Sequence, residues 1–202
     1  MAPRIVTSPK PKRHSLAFFR EFLRSPKQIG ACFTCSPHVA RALIRDIGLE
    51  KASSFAELGA GTGAVTQIIK QYIPPACKFF AVELSPNLAD VLRQNVPGVQ
   101  VIVDDAANIK QHCRQLGINQ LDGVVSVLPL MLFNRELQNK LCGAVASALK
   151  PGAYMTQVTY HADGLPTAKA LRRMLETHFT TVEPTRMVWR NIPPVFIYRC
   201  VR

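Results

Sequence analysis

Glu57-Leu58-Gly59-Ala60-Gly61-Thr62-Gly63 stands between an apolar run, Ser53 to Leu58, and a stretch with helical apolar spacing, Gly63 to Tyr72. A strand, a glycine-rich turn and a helix in that order form the opening unit of an α/β sheet. In such a sheet, ligands lie at the carboxyl ends of the strands near the point where the strand order reverses. The glycines permit a tight turn and let a ligand lie against the backbone. The same residues also fit G-x-G-x-x-A, a dinucleotide fingerprint, so the glycines alone do not choose the ligand.

Outward from this turn the pattern alternates. Lys78–Glu83 reads as a strand, and Ser85-Pro86 opens a helix to about Asn95. Val99–Val103 is a strand and Ala106–Leu116 a helix. Leu121–Val127 is a strand, and Asn134 caps a helix that runs to Leu149 and ends at Pro151-Gly152. Ala153–Tyr160 is a strand and Thr167–His178 a helix. Thr181–Arg190 and Val195–Val201 flank Asn191-Ile192-Pro193-Pro194 and read as a hairpin. On the amino-terminal side, Ser36-Pro37 is an N-cap followed by proline at the first helical position, and Gly48 closes that helix. Ser15–Arg24 forms an amphipathic helix with Leu16, Phe18, Phe19, Phe22 and Leu23 on one side. The first fourteen residues are a basic, proline-rich arm. The expected fold is α/β and Rossmann-like, a seven-stranded, mostly parallel sheet with helices on both faces and an antiparallel hairpin at its carboxyl-terminal end.

The chain has 202 residues, 48% of them apolar, and a net charge of +12. That field favours an anionic partner. Six cysteines are present, and Cys32 and Cys35 form a lone C-x-x-C. With no second pair or nearby histidines at ligand spacing, the cysteines read as small apolar residues in a reducing compartment, and no metal is expected. Arg20 and Glu21 interrupt the apolar stretch Leu16–Leu23, so it does not read as a secretory signal. Val124–Phe133 is too short to span a bilayer and contains Pro129. The expectation is a soluble or peripheral protein on the cytoplasmic side.

The acids narrow the choice of ligand. Glu57 suits a cationic ligand and sits poorly beside a pyrophosphate. S-adenosylmethionine carries a sulfonium and an ammonium and no phosphate, so Glu57, Gly59, Ala60, Gly61 and Gly63 are expected to hold it. Glu83, with Leu84 beside it, is placed to accept both ribose hydroxyls. In Asp104-Asp105-Ala106 one acid can accept the adenine amino group, and Asp105 is preferred with Ala106 at its side. Two adjacent aspartates at a strand end also suit a helix cap. The fourth strand leaves through Val125-Ser126-Val127-Leu128-Pro129-Leu130. Proline restricts the residue before it to an extended shape, which would orient backbone carbonyls from Ser126 to Leu128 toward an acceptor amine.

These residues resemble the bacterial phospholipid N-methyltransferases of the phosphatidylethanolamine type, which are class I S-adenosylmethionine-dependent methyltransferases. The resemblance runs through Phe22-Leu23-Arg24-Ser25-Pro26-Lys27-Gln28-Ile29-Gly30-Ala31, the Glu57–Gly63 turn, Val82-Glu83-Leu84-Ser85-Pro86 and Asp104-Asp105-Ala106. It continues through Val125 to Leu130, Gln157-Val158-Thr159-Tyr160 and Val188-Trp189-Arg190-Asn191-Ile192-Pro193-Pro194. It implies successive methylation of a lipid amine, toward phosphatidylcholine, with S-adenosylhomocysteine as product. It also implies an amino-terminal segment, residues 1–36, that rests on anionic membrane at the inner face of the cell membrane, and a methyltransferase domain over 37–202. Ile29, Gly30 and Thr34 are implied cofactor contacts, although Cys32-Phe33-Thr34-Cys35-Ser36 departs from the family pattern there. Transfer needs a neutral amine, and Tyr160 and His161 are the candidates to hold it or take its proton. Arg190, then Arg186, is the candidate for the lipid phosphate, with Trp189 beside it. Related enzymes methylate ornithine lipids. More distant ones dimethylate ribosomal RNA adenines through an Asn-Leu-Pro-aromatic exit that this chain lacks, so no nucleic acid is expected. A third reading is a binding module that kept the cofactor fold without turnover.

Overall fold

Seven strands form one sheet in the order β3-β2-β1-β4-β5-β7-β6. The computed structural model describes residues 35–159 and 166–202. The strands are β1 (Ser54–Leu58), β2 (Lys78–Glu83), β3 (Gln100–Val103), β4 (Leu121–Ser126), β5 (Leu149–Thr159), β6 (Thr181–Pro184) and β7 (Phe196–Val201). The first five are parallel, while β7 runs antiparallel between β5 and β6. The expected seven-stranded sheet with an antiparallel hairpin is the one observed. The chain reverses direction across the sheet between β1 and β4, and the glycine turn leaves β1 at that point.

Among the described residues six α-helices cover the faces: α1 (Pro37–Ile44), α2 (Ala64–Tyr72), α3 (Pro86–Asn95), α4 (Ile109–Gln115), α5 (Arg135–Ala148) and α6 (Pro166–Leu175). Alternation along the strands decides which helix goes where. Phe55, Val125, Val158 and Ile197 point to the face that packs against Val39, Leu43 of α1 and Val65, Ile69 of α2. Ala81 meets Leu92 and Val96 on α3 and its end, on the same face. Tyr198 points the other way, where its hydroxyl donates to the Ala168 carbonyl of α6 at 3.3 Å. Helices α5 and α4 lie beside α6 on that second face.

Several helix starts follow the capping chemistry. Ser36, Ser85 and Asn134 each accept a backbone N–H two or three positions into the helix. Several boundaries differ from the sequence reading. Helix α1 ends at Ile44 instead of Gly48, because Asp46 (φ 56°) and Gly48 (φ 74°) already turn the chain. The expected helix from Ala106 begins as a 3₁₀ turn, Ala106–Asn108, before α4. Strand β5 starts at Leu149 and carries Pro151-Gly152 within it, since Gly152 N–H donates to the Arg202 carbonyl at 2.9 Å. The hairpin strands are shorter, and a single Val188–Val195 bridge extends them toward the tip.

The amphipathic helix expected at Ser15–Arg24, the arm before it, and Ile29, Gly30, Thr34, Tyr160 and His161 lie outside the described residues. Among the described residues no helix is long and apolar enough to cross a membrane.

Candidate active site

The carboxyl ends of β3, β2, β1 and β4 are neighbours, so the residues that follow them converge on one edge. Gly59 N–H donates to the Val82 carbonyl at 2.8 Å, and Val127 N–H donates to the Leu58 carbonyl at 2.9 Å. The turn after β1 is thereby tied to both flanking strands. Gly59 has φ 75°, and a Cβ there would lie 2.8 Å from Leu128 Cδ2. Gly63 has φ 96°, and a Cβ there would meet Leu92 Cδ1 at 2.6 Å. Around Gly61 the space is open, with nothing within 4 Å of an added Cβ. The turn is thus closed on its protein side and open toward the edge, as a backbone cradle requires.

Glu57 is fully buried at the end of β1. Its Oε2 accepts the Thr66 hydroxyl of α2 at 2.6 Å, and its Oε1 has no partner. Burial, against the opposing Thr66 hydrogen bond and with Glu83 nearby, pushes the carboxyl up to about 8. An unpartnered buried carboxyl of this kind is relieved by a cation, and the ammonium of S-adenosylmethionine is one. Glu83, also buried, accepts Gly61 N–H and Ser85 N–H at 2.9 Å each. These bonds fix the carboxylate plane, and each oxygen keeps a lone pair for a vicinal diol. Burial raises its pKa against those backbone bonds.

The two aspartates after β3 separate into different roles. Asp104 Oδ2 accepts Asn108 Nδ2 at 3.0 Å and lies 3.2 Å from His112 Nε2, inside a local network. Asp105 Oδ1 caps the 3₁₀ turn by accepting Ala107 N–H at 2.9 Å, while Oδ2 faces Lys140 Nζ at 3.6 Å. Asp105 therefore carries the cap, and its second oxygen is turned toward Lys140. Ala106 beside it is buried, and Leu84 after Glu83 is half-buried.

Ser126 is buried at the end of β4, paired in register with Leu58 and Gln157. The Leu128 carbonyl, expected to meet an amine, already accepts Leu130 N–H and Gln157 Nε2, each at 2.8 Å. Its lone pairs are taken, and the acceptor that remains beside it is Gln157 Oε1, buried and without a partner. Sequence reasoning missed Gln157 because only its register opposite Ser126 gives it meaning. It missed Thr66 and Lys140 for the same kind of reason, since each acts across a gap between elements. Arg186, Trp189 and Arg190 sit elsewhere, on the β6–β7 tip. They are exposed and line a groove of about 640 Å³ with α1. No cluster of metal-ligating side chains occurs among the described residues.

A glycine turn, a buried carboxyl with an unpartnered oxygen and a buried carboxylate held by two backbone N–H groups thus stand on adjacent strand ends of a parallel sheet. A family model described as a methyltransferase domain matches residues 55–152. The chain is 32% identical over 188 residues, 91% of its length, to an ornithine lipid N-methyltransferase of Singulisphaera acidiphila, and covers 93% of that relative. A ribosomal RNA small subunit methyltransferase A of Chlorobaculum tepidum matches over 83 residues at 29% identity, 41% of this chain and 29% of the relative. Among solved structures, the 1,6-didemethyltoxoflavin-N1-methyltransferase of Burkholderia thailandensis, solved with S-adenosylhomocysteine, superposes with a TM-score of 0.65 at 16% identity over 98% of this chain and 94% of that one. The chain belongs to the class I S-adenosylmethionine-dependent methyltransferases, and S-adenosylmethionine is its cofactor.

Proposed function

We propose that the protein methylates the primary amine of a membrane amino lipid. The observation that carries this reading is the end-to-end likeness to the ornithine lipid N-methyltransferase, 91% of this chain and 93% of that one. The ribosomal RNA relatives match less than half of the chain, and the Ser126–Leu130 exit lacks their Asn-Leu-Pro-aromatic pattern. An ornithine head joins an amine to a carboxylate, and an ethanolamine head joins one to a phosphate. Both therefore present an amine with an anion near it.

When bound, the cofactor supplies a methyl group on a positively charged sulfur. The chain's residues do the rest. Glu57 holds the ammonium end, Glu83 the ribose and Asp105 the adenine amine, so the methyl is fixed in direction. Gln157 Nε2 locks the Leu128 carbonyl and leaves Oε1 to accept an N–H of the incoming amine. That amine is protonated at neutral pH, and Tyr160 and His161, next in sequence after β5, are the proposed acceptors of its proton. Arg190 and Arg186 hold the anionic part of the head group.

The test incubates the purified protein with methyl-labelled cofactor and, separately, vesicles carrying ornithine lipid, vesicles carrying phosphatidylethanolamine, and ribosomal RNA. Label in an amino lipid supports the reading and identifies the head group. Label in RNA alone, or in nothing, sinks it. With the labelled lipid, Tyr160→Phe and His161→Ala should lower turnover while cofactor binding holds.

A further inference from the structure

The β6–β7 tip carries the two most exposed large apolar side chains among the described residues, Trp189 at 74% and Ile192 at 89%. They are held outward by a built framework. Asn191 between them is buried, accepts Ser36 N–H at 2.9 Å and donates to the Pro193 carbonyl at 2.8 Å. Pro193 and Pro194 stiffen the return. Beside the tip, Arg41 of α1 and Arg45 just after it line the same groove as Arg186 and Arg190. None of these four has a carboxylate partner among the described residues. The groove's acids are Asp46, which pairs with Arg199 at 3.3 Å, and Glu183.

Register sets the direction in which the tip points. Phe196, the first residue of β7, pairs with Thr159, the last of β5. The tip therefore extends past the carboxyl edge of the sheet, the edge on which Glu57, Glu83 and Ser126 end. Strand β7 lies two strand spacings, about 10 Å, from β4.

We infer that the tip and the α1 groove are a docking face for an anionic phospholipid bilayer. Trp189 and Ile192 enter the interfacial layer, and Arg41, Arg45, Arg186 and Arg190 meet the lipid anions. Tryptophan suits that depth because its ring is apolar with one polar N–H. Cations beside an anionic surface add attraction that salt screens. A nucleic-acid strand would use the arginines and stack on Trp189 but has no use for an exposed isoleucine, so the pair favours a bilayer. Docked this way, the edge that bears the methyl-transfer site faces the head groups. The inference rests on the amino-lipid reading, and it adds which surface touches the membrane.

Trp189 is the chain's single tryptophan, so its fluorescence reports the tip alone. The full chain is titrated with vesicles of phosphatidylcholine and of phosphatidylcholine with phosphatidylglycerol, some carrying brominated acyl chains. The expected result is a blue shift and bromine quenching with the anionic vesicles only, reversed by salt. Ile192→Ser, and Arg41→Glu with Arg45→Glu, should each weaken partition about tenfold or more, and Ile192→Ser should leave activity on detergent-dispersed amino lipid unchanged. Vesicle flotation without any change in Trp189 emission overturns the inference. So does a shift caused by RNA and not by vesicles, or one that grows with protein concentration alone, which would assign the tip to a second copy. If no dispersed amino lipid is methylated, the functional proposal fails instead, and the Trp189 response still decides the docking face.

Discussion

Gln157 shows what one side chain can do at a strand end. Its amide donates to the Leu128 carbonyl from the neighbouring strand, and its Oε1 is the buried atom left to receive a donor. Gln157→Leu removes both functions while keeping much of the volume. The expected outcome is a fall in kcat of about tenfold or more with cofactor Kd within about twofold, and a loss of roughly 0.5–1.5 kcal/mol in unfolding free energy from the lost Gln157 hydrogen bond, since Leu130 N–H still holds the Leu128 carbonyl. A drop in stability with kcat intact would make Gln157 only a brace. At this scale the sequence was legible where neighbours along the chain make the site. Glu57 and the glycines stand together, and Glu83 ends its strand. The Asp104–Asp105 choice was half legible, since both a cap and a ligand role were open, and the contacts give the cap to Asp105, whose other oxygen faces Lys140. The Leu128 carbonyl was misjudged because its Gln157 partner is 29 residues away.

The β1–α2 turn and helix α3 are two elements that meet at a glycine. Gly63 holds φ 96° with Leu92 and Val96 of α3 and its end pressed against it. Gly63→Ala adds a methyl at 2.6 Å from Leu92 in a conformation that L residues avoid. Left-handed strain and overpacking together should cost about 2–4 kcal/mol, read as a shift of the denaturant midpoint at constant m-value. An unchanged midpoint would mean that α3 can shift away. Element bounds were legible where local chemistry sets them: β2 and α3 match residue for residue, bracketed by Ser85-Pro86. They were not legible where a distant partner decides. Pro151-Gly152 reads as a stop, yet β5 includes it because Gly152 and Ala153 pair with Arg202 at the far end of the chain.

At the scale of the whole molecule, Glu57 couples stability to pH. Its carboxyl is raised from 4.5 to about 8 in the folded state by burial. Between those values the unfolded chain releases the proton first and therefore binds fewer protons than the folded one. Stability then falls as pH rises through that window, by an amount on the order of a few kcal/mol. Glu57→Gln should flatten the decline seen by denaturation from pH 5 to 8. A cationic ligand favours the carboxylate, so cofactor binding near neutral pH should release a proton, detected as a buffer-dependent binding enthalpy in calorimetry. Equal enthalpies in buffers of different ionisation heat would mean that Glu57 does not meet the ligand cation. Fold class and cofactor were legible at this scale because alternation and the Glu57–Gly63 turn extend over the chain. The exposed, pinned tip was not, since an Asn191–Ser36 bond between residues 155 positions apart leaves no local trace.

The contact between Gly59 and Leu128 has an evolutionary side. A side chain at position 59 is opposed twice, by φ 75° and by Leu128 at 2.8 Å. Shrinking residue 128 would remove only the second obstacle, so no single substitution opens a path away from glycine. Drift in this turn is channelled to exposed Thr62, and descendants of this chain should vary there while position 59 stays glycine whatever stands at 128.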